Sequence, residues 1–339
     1  MTPDVKAAIE CDPRIFALFC ALNCCGYDAE SAPEGFHPMR RALREQLAGC
    51  HQAAADFASY LDSAPALSLT PPRFPFWPRV GVMTEYVLTL RQPPALAPPR
   101  RADEDALARE WPGRASIRAE EIRPLMDWLR GLGPALGDFW READIGALHS
   151  AWAPPIVEAA KMRVGDLSAA IQRCADYLGL TSLPFARLVV IPNPLQDSWT
   201  ANFGRAQDAF FVVDGCPARI GSVWHELCHD AVAPILESHA DLLAASEPLL
   251  VKVEEPMRAM GYWLADRRAS WRRIVEESVV RAVCARLHGS DGAEDSFPFI
   301  PEAMAALREV RERRGQAFAG AVRVFLEHLA QLVGARSQP

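Results

Sequence analysis

The residues best suited to chemistry form a five-residue run, His225-Glu226-Leu227-Cys228-His229, on a predicted helix directly after a strand and a turn. Histidines at positions i and i+4 lie one helical turn apart on the same face, so their imidazoles can bind one metal ion together. Glu226 follows the first histidine, where it can accept a proton from metal-bound water. The run therefore predicts a zinc ion (Zn2+) held by His225 and His229, with Glu226 as the general base.

A catalytic zinc ion needs a third protein ligand and leaves a further position for water. The continuation His-x-x-Gly-x-x-His is absent, since Val232 and Ile235 occupy the positions of the glycine and the third histidine. The remaining common choice is a glutamate on a second helix. The predicted helix over 268–288 carries Glu276 and Glu277 beside an apolar stripe, and helical phase alone does not separate the two.

Four other residues are candidates for roles at the same site. His239 is a rival third ligand, because Pro234 is expected to end the motif helix and let the chain turn back. Arg281 lies one turn beyond Glu277, where it can pair with that carboxylate and orient it. Hydrolysis of a peptide also needs a donor for the oxyanion, and the candidates are His239, Tyr262, Arg281 and His288.

These residues resemble the gluzincin metallopeptidases, the thermolysin-like group with two histidines and a downstream glutamate. The segments His-Glu-Leu-Cys-His-Asp-Ala-Val-Ala-Pro-Ile-Leu-Glu and Glu277-Ser-Val-Val-Arg-Ala are similar to those of a little-studied bacterial family of zincin-like proteins. In that family an Asn precedes the proline, whereas this chain has Ala233 before Pro234. The resemblance favours Glu277 over Glu276 as the third ligand. It also implies a strand along the substrate cleft, assigned to residues 209–213, whose exposed edge pairs with an extended peptide.

The coarse pattern of elements predicts an α+β fold that is predominantly α-helical. Residues 1–180 form a mostly helical N-terminal lobe, with proline-rich loops at 64–78 and 93–99. Residues 181–339 form the metal-binding core, in which the resemblance implies a zincin-like arrangement of a small sheet beside the metal helix. Short β-branched and aromatic runs at 186–191 and 209–213 are the predicted strands.

Composition narrows the possible partners and the compartment. The net charge of -7, without a long basic run, argues against a nucleic-acid partner. No signal peptide or bilayer-spanning segment is evident, and nine scattered cysteines are typical of reduced thiols, so we expect a cytoplasmic protein with no membrane partner.

The combined prediction is a zinc-dependent metallohydrolase, with a peptidase acting on a peptide or protein substrate as the expected class. The alternatives are a catalytically inactive zincin-like binding or regulatory protein and a metal-free helical interaction protein. An intact Glu226 argues against the inactive form, because a purely structural site has no use for a general base. The sequence does not indicate an oligomeric state.

Overall fold

The protein is represented by a computed structural model, and the structure describes residues 5–27, 38–67, 79–114, 117–196, 201–206, 208–215, 218–260, 262–263, 266–292 and 295–334. The chain forms two compact units, each assembled from more than one stretch of sequence. Among the described residues, the sheet unit comprises 5–167 and 184–222, and the site unit comprises 168–183 and 223–334.

The sheet unit contains eight labelled helices and four strands within the described residues. In chain order they are β1 (Lys6–Ile9), α1 (Pro13–Cys24), α2 (Pro38–Leu47), α3 (His51–Asp62), α4 (Arg79–Thr89), α5 (Arg101–Arg114), α6 (Ala119–Leu129), α7 (Leu132–Glu142), α8 (Ile145–Val164), β2 (Arg187–Asn193), β3 (Ala201–Ala206) and β4 (Ala209–Gly215). Helix α1 is apolar on every side and is buried through most of its length, which makes it the centre of this unit's hydrophobic core. The buried side chain of Asp12 caps α1 by accepting hydrogen bonds from the backbone N–H groups of Arg14 and Ile15.

The sheet has the strand order β1-β2-β4-β3. β2 is parallel to β1 and β4, and β3 is antiparallel to β4. The prediction that residues 209–213 expose an edge to a substrate is therefore wrong, since both edges of β4 are occupied by neighbouring strands. The physical reason lies in its sequence: Ala-Phe-Phe-Val-Val-Asp-Gly is buried at every position, as expected for an interior strand covered on both faces.

The site unit is helical throughout its labelled elements. These are α9 (Leu167–Leu178), α10 (Ile220–Ser238), α11 (Ala240–Ser246), a 3₁₀ helix (Glu247–Lys252), α12 (Glu254–Ala259), α13 (Arg267–His288), α14 (Ile300–Ala306), a π helix (Leu307–Arg313) and α15 (Phe318–Gly334). Helix α13 is anchored by Trp271, which is fully buried and donates from its indole N–H to the Leu243 carbonyl and the Ser246 hydroxyl, both at 3.0 Å.

The α+β class with a predominance of helix is confirmed, and the predicted strands correspond to β2 and β4. The predicted end of the motif helix at Pro234 is wrong. Helix α10 continues through that residue to Ser238, because a proline can be tolerated inside a helix where neighbouring groups compensate for the lost hydrogen bond. The predicted division into 1–180 and 181–339 stays a prediction. Of the proline-rich loops, residues 68–78 lie outside the described residues.

None of the described helices combines the length and the apolar character that crossing a lipid bilayer requires.

Candidate metal centre

Helix α10 presents both motif histidines from one face. Val223, Leu227 and Ala231 are buried on the opposite side of the helix. His225 and His229 are partly buried, and their Nε2 atoms lie 3.2 Å apart. Two imidazole nitrogens approach this closely when a proton or a metal ion lies between them. The i, i+4 spacing has therefore placed two potential ligand atoms at a common point.

Helix α13 supplies a carboxylate to the same point. Asp266 caps the start of α13 through a 2.7 Å hydrogen bond from the Ala269 N–H, and the buried Trp271 and Ile274 fix its rotation. Glu277, only 4% exposed, lies 3.5 Å from His225 Nε2 through Oε1 and 3.6 Å from His229 Nε2 through Oε2. The three residues form a cluster whose ligand atoms all lie within 4.8 Å of one another.

The distances between these atoms can be compared with the distances between ligand atoms in a zinc site. In a tetrahedral site with ligands at about 2.0–2.1 Å, neighbouring ligand atoms are separated by about 3.3–3.4 Å. The two Nε2 atoms are 3.2 Å apart, and the nearest carboxylate oxygens of Glu277 lie 3.5 Å (Oε1) and 3.6 Å (Oε2) from them, all close to that value. Two imidazoles and one carboxylate are also a ligand set that catalytic zinc uses. The residues present therefore fit a zinc ion.

Glu276 has a different position from that of its neighbour Glu277. Its Oε1 lies 2.7 Å from Nδ1 of His229, the ring nitrogen that faces away from the cluster. A carboxylate in this position accepts a hydrogen bond from Nδ1–H and leaves the lone pair of Nε2 free for a metal ion. The sequence could not distinguish Glu276 from Glu277, but their contacts in the structure differ. Glu277 belongs to the cluster, and Glu276 orients the ring of His229.

A shell of donors holds Glu277 in place. Arg281, one turn further along α13, donates from Nε to Oε1 of Glu277 at 2.8 Å. The Tyr262 hydroxyl lies 3.3 Å from the same Oε1 and accepts a hydrogen bond from Arg281 at 3.3 Å. Asp295 accepts a hydrogen bond from Arg281 at 3.1 Å and fixes the guanidinium from the other side. Tyr262 and Arg281 therefore contact a candidate ligand and restrict the position of its carboxylate.

The charges of the cluster are strongly coupled. Burial by itself would lower the pKa of His225, but the charge of Glu277, with smaller contributions from a Cys284 hydrogen bond and Glu226, raises it to about 10. Burial by itself would raise the pKa of Glu277, but the positive charges of His225, His229 and Arg281 lower it to about 2. Glu277 is thus held as a carboxylate, and in the metal-free cluster His225 carries a proton at neutral pH.

Glu226 is buried beside His225, with 5% of its surface exposed, and its charge contributes to raising the pKa of that histidine. His239 lies elsewhere: it precedes α11, and its Nδ1 is 2.9 Å from the Ile235 carbonyl oxygen. It does not belong to the cluster formed by His225, His229 and Glu277. His288, at the end of α13, packs its ring against Trp224 at 4.8 Å between centroids, an ordinary structural contact.

Sequence reasoning missed two neighbours of the cluster, Cys284 and Asp295. Cys284 lies close enough to His225 to contribute to the raised pKa of that histidine. It follows Glu277 by seven residues and Arg281 by three, so a search along one face of α13 from Glu277 would have found it. Asp295 lies in the segment between α13 and α14 and carried no periodic signal.

The chain matches no protein-family model, no curated protein and no solved structure.

Proposed function

We propose that the protein is a zinc-dependent hydrolase whose metal ion is bound by His225, His229 and Glu277. The observation that carries the proposal is the meeting of three side chains from two helices: the two imidazole Nε2 atoms lie 3.2 Å apart, and each lies 3.5–3.6 Å from an oxygen of the Glu277 carboxylate. The general base expected of such a site, Glu226, is adjacent in sequence to the first ligand and is buried with it. A peptide or protein is the proposed substrate class, on the strength of the resemblance of both motif segments to gluzincins.

The zinc ion and the protein side chains have different roles in the proposed reaction. Zinc supplies a Lewis acid that polarises a carbonyl and lowers the pKa of a water molecule bound to it. Glu226 accepts the proton of the attacking water and delivers it to the leaving amine. Glu276 keeps the His229 ring in the tautomer that presents Nε2, and Arg281 keeps Glu277 aimed at the cluster. Tyr262, whose hydroxyl donates to Glu277, holds that carboxylate together with Arg281.

One observation favours a second candidate, a metal-free protein in which the cluster is structural. The raised pKa of His225 and the lowered pKa of Glu277 mean that a proton can satisfy the two side chains as an ion pair. Arg281 and Tyr262 already give Glu277 two hydrogen bonds. In that case the protein would serve as a helical interaction protein, and the three residues would tie α10 to α13.

Metal content by elemental mass spectrometry separates the two candidates. About one zinc ion per chain is expected for the purified wild type, none for His229→Ala, a reduced amount for Glu277→Gln and an unchanged amount for Glu226→Gln. His239→Ala is the matched control, since that histidine lies outside the cluster, and it should retain its zinc. A wild-type protein that is zinc-free and cannot be reconstituted would contradict the proposal and favour the structural cluster.

Activity is then tested with a library of quenched fluorescent peptides. Zinc-loaded wild type should cleave a subset of them, and the zinc-loaded Glu226→Gln variant should not. If both proteins retain zinc and neither cleaves any peptide, the peptide class is wrong, and a non-peptide amide becomes the substrate to test.

A further inference from the structure

The sheet unit contains a cavity of about 430 Å³, and none of the candidate zinc ligands lines it. It lies where the end of α1, one face of α2 and the start of α3 meet. Pockets for small organic ligands usually have volumes of about 300–1,000 Å³, with mostly apolar walls and a few polar groups that fix the orientation of the ligand. The cavity therefore has the size of a small-molecule site, and its lining decides which kind of molecule it can hold.

Hydrogen bonds fix the three helices around the cavity. Asn23, which lines it from α1, is only 6% exposed. Its side chain donates to the Leu195 carbonyl oxygen at 2.9 Å and accepts from Nε of Arg40 on α2 at 3.1 Å. The Cys25 thiol donates to the Ala54 carbonyl oxygen at 3.5 Å, which joins the end of α1 to α3. The walls of the cavity are thus held in place by contacts that do not involve a ligand.

Part of the lining is apolar. Leu47, 4% exposed, belongs to the hydrophobic core of the unit, and Ala54 lines the cavity from α3. The thiols of Cys24 and Cys50 are half-buried and also line it. A reduced cysteine packs as a small hydrophobic side chain. A hydrocarbon group placed against these residues would be removed from water, which favours its binding.

The rest of the lining carries mostly positive charge. Arg41 and Arg44 lie three residues apart on α2 and therefore share a face. His51 lines the cavity at the first residue of α3, and the N-cap residue Cys50 forms no capping hydrogen bond through its side chain, so the partial positive charge of this helix end also lies there. Among the described residues of the lining, Glu45 is the only acid. This balance of charge favours an anionic ligand.

We propose that this cavity binds a small amphipathic carboxylate, whose hydrocarbon part packs against Leu47, Cys50 and Ala54 and whose carboxylate contacts Arg41 and Arg44. A guanidinium group presents parallel N–H groups that match the two oxygens of a carboxylate. A small inorganic anion would leave the apolar lining uncovered, and an uncharged hydrocarbon would leave the two guanidinium groups without an anionic partner from the ligand. The inference does not depend on the proposed zinc chemistry, because the two sets of residues are different.

Isothermal titration calorimetry of the full chain tests the proposal with two probes, octanoate and benzoate. At least one of them should bind saturably, and acetate and 1-octanol should bind at least about tenfold more weakly. Arg41→Gln and Arg44→Gln should each weaken binding of the carboxylate by about 10–100-fold, the usual effect of losing a hydrogen bond between charged groups. Arg123→Gln is the matched control, since Arg123 is an exposed arginine on α6 outside the cavity, and its affinity should equal that of wild type.

Alkylation of thiols by iodoacetamide, measured by peptide mass spectrometry, locates the bound carboxylate. The ligand should slow the labelling of Cys24 and Cys50 and leave that of Cys11, a half-buried thiol of the same unit outside the cavity, unchanged. If neither probe binds saturably, or if binding leaves the labelling of Cys24 and Cys50 unchanged, the proposal is wrong. Equal affinity for octanoate and 1-octanol, or full affinity in both arginine variants, would contradict the carboxylate as the ligand class.

Discussion

Two buried carboxylates, one in each unit, have similar hydrogen-bond donors but differ in what else surrounds them. In the sheet unit, Glu104 accepts hydrogen bonds from the Arg130 guanidinium at 3.0 Å and from the Tyr86 hydroxyl at 3.1 Å. In the site unit, Glu277 also accepts from an arginine and lies within hydrogen-bond distance of a tyrosine hydroxyl. A carboxylate with an arginine and a tyrosine is therefore not, by itself, a sign of a functional site.

The difference lies in the two imidazoles beside Glu277. Arginine keeps its protons at any ordinary pH, and burial next to Glu104 raises the pKa of Tyr86, so the partners of Glu104 remain donors. His225 and His229 can give up a proton and present a lone pair to a cation. The partners of Glu104 therefore keep their protons, whereas the partners of Glu277 include two side chains that can lose theirs, as the proposed zinc site requires.

Replacement of Glu226 should have the largest effect. Glu226→Gln keeps the shape of the side chain and removes its basicity, so kcat/KM for a cleaved peptide should fall by about 10²–10⁴-fold while zinc is retained. Glu237→Gln is the matched control on the same helix, where Glu237 is an exposed partner of Arg272 at 2.8 Å. Equal activity of Glu226→Gln and wild type would remove Glu226 from the mechanism.

Zinc affinity should rise with pH. The pKa of His225 is raised to about 10 in the metal-free protein, so this imidazole carries a proton at neutral pH, and zinc must displace it. Glu277, with a pKa of about 2, releases no proton in this range. Burial by itself would lower the pKa of His229, but its hydrogen bond to Glu276 raises it, so this imidazole adds to the proton release. Affinity should therefore increase at least about tenfold per pH unit, or about 100-fold or more between pH 6 and pH 8. Calorimetry in buffers of different ionisation enthalpy counts the protons, and an affinity independent of pH would mean that zinc does not displace the His225 proton.

The carboxylate on Nδ1 of His229 offers a direct test of the contrast between the units. Glu276→Ala should weaken zinc binding by about 10–100-fold, because the ring loses the partner that fixes its tautomer. Glu104→Gln, the corresponding change in the sheet-unit network, should leave zinc affinity unchanged. Chelator competition measures both. A comparable loss in Glu104→Gln would show that affinity follows general stability and not the contacts of the ligand.

The part of the site that was predictable from sequence is the part that lies within one helix. His225, Glu226 and His229 occupy five consecutive positions, and helical geometry alone brings the two imidazoles together. The choice between Glu276 and Glu277 depended on the rotation of α13, which is set by the burial of Trp271 and its hydrogen bonds to α11. Adjacent residues on a helix differ by about 100° in direction, and the apolar stripe of α13 lies between Glu276 and Glu277 without fixing the rotation closely enough to choose one of them.

In the sheet, too, the local structure was predictable from sequence and the pairing of distant segments was not. The strand at 209–213 was predictable from its β-branched and aromatic residues, but its place between β2 and β3 was not. The missed strand β1 has the sequence Lys-Ala-Ala-Ile, which carries little strand propensity, and it pairs with β2 in parallel after nearly the whole sheet unit has intervened. Parallel pairing of distant segments depends on the packing of everything between them and is not visible in a local pattern.

The smallest predicted effect is a difference between Arg281, beside Glu277, and Arg130, beside Glu104. Zinc should change the contribution of the first to the free energy of unfolding and not that of the second. In excess chelator, Arg281→Ala should lower the free energy of unfolding by about 1–3 kcal/mol, since a buried carboxylate loses a charged donor. With zinc bound the loss should be smaller, because the ion supplies positive charge to Glu277 in place of the guanidinium. Arg130→Ala should cost the same with and without zinc, since no cation replaces its contact with Glu104. Denaturant titrations of both variants, with zinc and in excess chelator, measure the difference. If Arg281→Ala lowers the free energy of unfolding by the same amount in both conditions, zinc does not bind Glu277, and this carboxylate has the same structural role as Glu104.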